Sequence, residues 1–98
     1  MSLTSSQKRY LRGLAHDLKP VIMTGNKGVT PALLKELSGA LEHHELIKVK
    51  LGSEDRAARK AQIAELADAA HAELVQSIGR VACFYRRNDE QPKLALPR

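Results

Sequence analysis

The chain of 98 residues has one cysteine, three aromatic residues and no tryptophan, and no run of apolar residues long enough to span a bilayer. Each scarcity excludes something. A lone Cys83 cannot close an internal disulfide, and no Cys or His pairs stand at ligand spacing for structural zinc, so the expected setting is the reducing cytoplasm. Tyr10, Phe84 and Tyr85 are too few to build an aromatic platform for stacking bases. The first eight residues lack the apolar segment of a secretory signal, and a soluble protein without membrane contact is expected. Neither G-x-x-x-x-G-K-[ST] nor G-x-G-x-x-G occurs, which removes the common nucleotide-binding loops. His43 and His44 are neighbours and would point about 100° apart on a helix, a poor geometry for a shared metal. Glu42 with Glu45, and Glu54 with Asp55, read as solvated or capping carboxylates, and Cys83 between Ala82 and Phe84 as an inert core thiol. No enzymatic activity, metal, cofactor or small-molecule substrate is expected. With 43% apolar and 28% charged residues, the chain should fold as one small domain.

What is present is positive charge, unevenly placed. Sixteen Lys and Arg against eleven Asp and Glu give a net charge of +5. Residues 1–35 hold six basic side chains (Lys8, Arg9, Arg12, Lys19, Lys27, Lys35) and the single acid Asp17. The middle of the chain is slightly acidic and the last quarter slightly basic. Such a localised excess serves either as a solvated face or as a docking surface for a polyanion. Nucleic acid is favoured over a membrane surface, because no helix pairs a large aromatic-aliphatic face with a basic one.

Periodicity sets out the elements. Thr4 to Gln7 is a capping box, followed by Tyr10, Leu11, Leu14, Ala15 and Leu18 as one apolar stripe with basic residues largely opposite. Lys19-Pro20 ends that helix, and Val21 to Thr24 reads as a short buried strand. Gly25-Asn26-Lys27-Gly28 is a turn. Thr30-Pro31 starts a second helix with Leu33, Leu34, Leu37 and Leu41 inward, extending to about His43. Leu46 to Leu51 alternates, placing Ile47, Val49 and Leu51 on one face and Lys48 and Lys50 on the other. Gly52 to Asp55 opens a third helix, with acids in its first turn and Ile63, Leu66, Ala67 and Ala70 as its stripe, through about Ala72. Leu74 to Ile78 and Val81 to Arg86 form a hairpin about Gly79-Arg80, a pair suited to a type II′ turn. The order is αβαβαββ, an α/β single domain with a mixed four-stranded sheet and three helices. Residues 3–87 form the domain, and 88–98, with Pro92 and Pro97, are expected to fray as a flexible tail.

The Gly25 to Gly28 loop is the candidate site. Two glycines that let a strand turn into a helix would account for the spacing alone. Against that, the loop stands before a helix N-terminus whose N–H groups and dipole favour phosphate, both glycines admit a sugar-phosphate backbone, and Lys27 adds charge at the tip. KH modules use a GXXG loop in this way.

The residues also carry a family resemblance. Leu11-x-x-Leu14-Ala15-His16-x-Leu18-Lys19-Pro20, Gly25-x-x-Gly28-Val29-Thr30, Leu41-Glu42-His43-His44-Glu45-Leu46-Ile47-Lys48-Val49-Lys50, Gly79-Arg80 and Tyr85-Arg86, in that order, resemble the CRM domain family (chloroplast RNA splicing and ribosome maturation). The likeness is to its stand-alone bacterial YhbY-like branch. One departure is that the loop lysine is the second inner residue, Lys27 after Asn26. The resemblance implies an RNA-binding fold similar to the C-terminal domain of translation initiation factor three. It further implies no enzymatic activity and association with ribosomal RNA of large-subunit precursors; a monomer is expected. Carried over by position, Gly25, Asn26, Lys27 and Gly28 would touch RNA backbone, and Lys8, Arg9, Arg12, Lys19, Lys48, Lys50 and Arg86 would extend the surface. The rival is an adaptor whose basic face docks an acidic protein.

Overall fold

The computed structural model describes residues 3–25 and 28–97. Its elements are α1 (Ser5–Ala15), β1 (Pro20–Met23), α2 (Pro31–His44), β2 (Leu46–Lys50), α3 (Arg56–Ala70), β3 (Glu73–Ile78) and β4 (Val81–Tyr85), which is the order read from the sequence. Local signals explain the helix starts. The Thr4 hydroxyl accepts from the Gln7 N–H while the Gln7 side chain accepts from the Thr4 N–H, a complete capping box. Thr30 caps α2 through the Leu33 N–H with Pro31 in the first turn, and Asp55 caps α3 through the Ala58 N–H. Because Asp55 is the cap itself, α3 has no acid in its first turn, contrary to the expectation from Glu54 and Asp55.

The sheet runs β1-β2-β4-β3. β1 lies parallel to β2, whereas β4 is antiparallel to both β2 and β3. The hairpin strand β4 thus slots between β2 and β3, so the second strand-helix-strand unit does not leave its strands as neighbours. Gly79 turns the hairpin at a φ of 56°, with Arg80 on ordinary backbone, as a type II′ turn requires.

Period-two alternation along the strands divides the core into two layers. On one face α2 and α3 bury Leu33, Leu37, Leu41, Leu66 and Ala70 against Ile22, Ile47, Val49, Ala82 and Phe84. On the other face Leu11 and Ala15 of α1 pack on Leu46, Val75, Cys83 and Tyr85. Tyr10, Leu14 and Leu18, placed by periodicity in the same stripe, are 37–40% exposed. The reason is that α1 covers only one end of its face: its start is tied to β3 by a 2.7 Å bond from the Leu3 N–H to Glu73, and its end feeds β1 at Pro20.

Residues 88–97, within the tail for which the sequence signals fraying, have specific partners. Glu45 is fully buried, and its carboxylate accepts the Asn88, Lys93 and Leu94 N–H groups at 2.6, 2.6 and 2.7 Å. Leu94 and Leu96 pack on the α1-side core, and Gln7 donates to the Pro97 carbonyl at 2.9 Å.

Candidate nucleic-acid interface

The glycine loop joins β1 to α2 at the C-terminal edge of the sheet. Asn26 and Lys27, both named as site residues from the sequence, lie outside the described residues. The flanking glycines close the turn, with the Gly28 N–H donating to the Gly25 carbonyl at 3.0 Å. Gly28 has a φ of 67°, a conformation that costs L residues strain, whereas a side chain at Gly25 would meet open space. The base of the loop is latched to the end of β2. Buried Thr24 donates its N–H to the Lys50 carbonyl at 3.0 Å, and its hydroxyl accepts the Gly52 N–H at 2.7 Å. A Cβ at Gly52 would stand 2.5 Å from the Thr24 carbonyl oxygen, so the close approach demands glycine there. The sequence places Gly52 in a turn but gives no sign of this contact, because Thr24 is 28 residues away.

The α2 N-terminus offers fewer donors to a phosphate than the sequence suggested. Pro31 has no N–H, the Leu33 N–H is occupied by the Thr30 hydroxyl, and the Leu34 N–H bonds the Thr30 carbonyl. Among the described residues and the first helical positions, Ala32 keeps an N–H with no acceptor. Attraction for an anion at this end therefore rests on the helix dipole and on neighbouring side chains.

Those side chains come from α1 and β2. Lys8 and Arg12 fall on one side of the Leu11–Ala15 contact line; Gln7, Tyr10 and Leu14 fall on the other. Gln7 bonds Pro97 of the tail, which leaves from the C-terminal end of β4, so the Lys8–Arg12 flank turns the opposite way, toward the C-terminal ends of β1 and β2. Lys48 and Lys50 project from β2 on the α1 side of the sheet, Lys48 half-buried and Lys50 exposed. Arg9 and Lys19 are exposed at the outer surface of α1 and just before β1. Among the described residues, no carboxylate lies within ion-pair distance of Lys8, Arg9, Arg12, Lys19, Lys48 or Lys50.

The family model for the CRS1 / YhbY (CRM) domain matches residues 3–86. The chain belongs to the CRM domain family. A Haemophilus influenzae relative named RNA-binding protein is 43% identical over 97 residues, which span 99% of this chain and 97% of the relative. A Pseudomonas aeruginosa protein, named a probable RNA-binding protein, is 44% identical over 95% of this chain and 89% of its own. The solution structure of a Staphylococcus aureus protein superposes with a TM-score of 0.84 at 38% identity, covering 98% of this chain and all of that one.

In this CRM domain Arg86 stands apart from the other basic residues proposed for the site. Its guanidinium donates to the Ser38 carbonyl at 2.8 Å, the Ala70 carbonyl at 2.9 Å and the Ser38 hydroxyl at 3.2 Å. These bonds tie the end of β4 to α2 and to the C-terminus of α3, where a cation complements the helix dipole. Arg86 works within the fold, at the far end of the sheet from the glycine turn. Cys83 pairs across the strands with Lys48 and is buried. Burial pushes its thiol up from 9.0 to about 11, with the Lys48 charge pulling weakly the other way, so it stays protonated and unreactive at neutral pH. His43 and His44 stack edge to face at 4.6 Å, and among the described residues no cluster of three metal-ligating side chains occurs.

Proposed function

We propose that this CRM domain is a non-enzymatic binder of structured ribosomal RNA, acting as a monomer in the cytoplasm on precursors of the large ribosomal subunit. The observation that carries the proposal is a set of cations, Lys8, Arg12, Lys48 and Lys50, without carboxylate partners among the described residues, on the α1 side of a sheet whose end carries the latched glycine turn. Cations without carboxylate partners among the described residues are available to phosphates, and phosphate contacts fix position and register more than sequence. The relatives named as RNA-binding proteins support RNA as the polyanion. The large-subunit address rests on the family resemblance.

Binding across a salt series to a large-subunit rRNA precursor, an unrelated structured RNA and duplex DNA tests the reading. A steep fall in affinity with salt and a clear preference for the rRNA are expected. Equal, weak binding to all three would overturn it in favour of an acidic protein partner. Gly25→Asp is the cleaner loop variant, since its Cβ meets open space and Asp suits the first position of a turn. It should weaken RNA binding several-fold with folding intact. Replacing Lys8, Arg9 and Arg12 together should flatten the salt slope by up to about 2 to 3, at roughly 0.7–0.9 per lost phosphate contact.

A further inference from the structure

The α1 side of the sheet is only half covered. Strand register places Met23, Lys50, Val81 and Ile78 in one row across all four strands at the end nearest the glycine turn. Ile22, Val49 and Ala82 belong to the core under α2 and α3, so the row alternates onto the opposite face. There Met23 is 63% exposed and Ile78 67% exposed. The next row on that face runs from Lys48 through buried Cys83 to half-buried Gln76, and beyond it Leu46, Val75 and Tyr85 lie beneath α1. Between the α1 helix and the glycine turn there is thus an open strip of sheet with an aliphatic floor and lysines set into it. At about 4.8 Å per strand its width is on the order of 14 Å.

Large aliphatic side chains on a wet sheet face are costly to leave in water, and lysines interleaved with them exclude a second apolar protein core as the natural cover. A polyanion with apolar faces matches both features. We infer that this strip receives unpaired nucleotides, whose bases lie on Met23, Val81 and Ile78 while Lys48, Lys50 and the Lys8–Arg12 flank hold the flanking phosphates. The inference rests on the RNA reading above and narrows it: the bound element is a loop, bulge or single strand. A duplex keeps its base faces stacked inward and offers phosphates, sugar hydroxyls and base edges, but no base faces, to such a floor. Four-stranded sheets elsewhere hold two or three bases on one face, although with aromatic side chains. Here the floor is aliphatic, so contact is hydrophobic and tolerant of base identity, and it answers the shortage of aromatic residues in the chain.

The test compares a short mixed-sequence RNA strand with the same strand annealed to its complement, bound to the wild type and to Met23→Ser/Ile78→Ser. Both positions are exposed, so the double variant should keep its fold, checked by circular dichroism and thermal unfolding. The wild type should prefer the unpaired strand. The variant should lose between about three- and tenfold in affinity for it with an unchanged salt slope, while its affinity for the duplex stays the same. Lys50→Ala should instead reduce the slope. Equal binding of strand and duplex by the wild type, or unaltered strand affinity in the folded double variant, overturns the base platform and leaves the rRNA reading standing. Binding of neither RNA, even with the precursor rRNA, defeats both.

Discussion

Glu45 is the residue whose replacement should be most revealing. It is fully buried, ends α2 at a φ of 64°, and accepts three backbone N–H groups from residues 88–94 while its own carbonyl accepts the Arg86 N–H at 2.9 Å. Oε1 receives Lys93 and Leu94, and Oε2 receives Asn88. Glu45→Gln keeps the shape but replaces one acceptor oxygen by an NH2 group. In the less damaging orientation the amide oxygen serves Lys93 and Leu94, and the NH2 faces the Asn88 N–H, donor against donor. Losing one bond to a charged acceptor costs about 1.5–3 kcal/mol, and weakening the other two from charged to neutral adds to that. The tail limits the damage, since its amides can return to water if it lifts away, so a net loss of about 2–3 kcal/mol is expected. For a domain of this size that lowers Tm by roughly 10–20 °C. The assay is amide hydrogen exchange with thermal unfolding. In the variant the Asn88, Lys93 and Leu94 amides should exchange far faster than those of β2 and β4. Unchanged protection of those three amides, with an unchanged Tm, would refute the role of the carboxylate.

Gly52→Ala should destabilise by about 1–3 kcal/mol, because its Cβ would press to 2.5 Å on the Thr24 carbonyl; an unchanged denaturant midpoint would show that the latch gives way freely. Arg86→Gln removes bonds to Ser38 and Ala70 and should cost about 2–3 kcal/mol of stability while leaving RNA affinity unaltered. Loss of affinity at full stability would return Arg86 to the interface. The Cys83 thiol keeps its proton in the fold up to about 11, whereas the unfolded thiol loses it near 9.0. The native state thus binds more protons between those values. Stability should be complete below pH 9 and fall by up to about 3 kcal/mol as pH rises to 11, with the raised Tyr85 hydroxyl, shifted chiefly by burial and then by Glu45, acting in the same direction. Cys83→Ser should lessen that decline, and an equal decline in the variant would contradict this account.

Much of the architecture was legible because its signals are local. The Thr4-Gln7 box, Thr30-Pro31, the alternation from Leu46 to Lys50 and the Gly79-Arg80 turn each specify a piece of backbone through neighbours in sequence, and their order implied the mixed sheet. The glycine pair before α2 and the cationic first helix were legible for the same reason: glycine and charge announce themselves by residue type. Tertiary structure decided which of those residues share a surface. Arg86 looks like one more surface cation until the C-terminus of α3 is brought beside it, and Tyr10, Leu14 and Leu18 look buried until α1 is seen to cover only one end of the sheet. Met23 reads as a core strand residue but is uncovered by the same placement. Glu45 is the clearest case. In sequence it is an acid among histidines, and its burial depends on amides more than 40 residues later that pattern and propensity cannot bring to it. Local backbone preference and periodicity are written into the chain; the partner of a buried polar group is known only when distant segments meet.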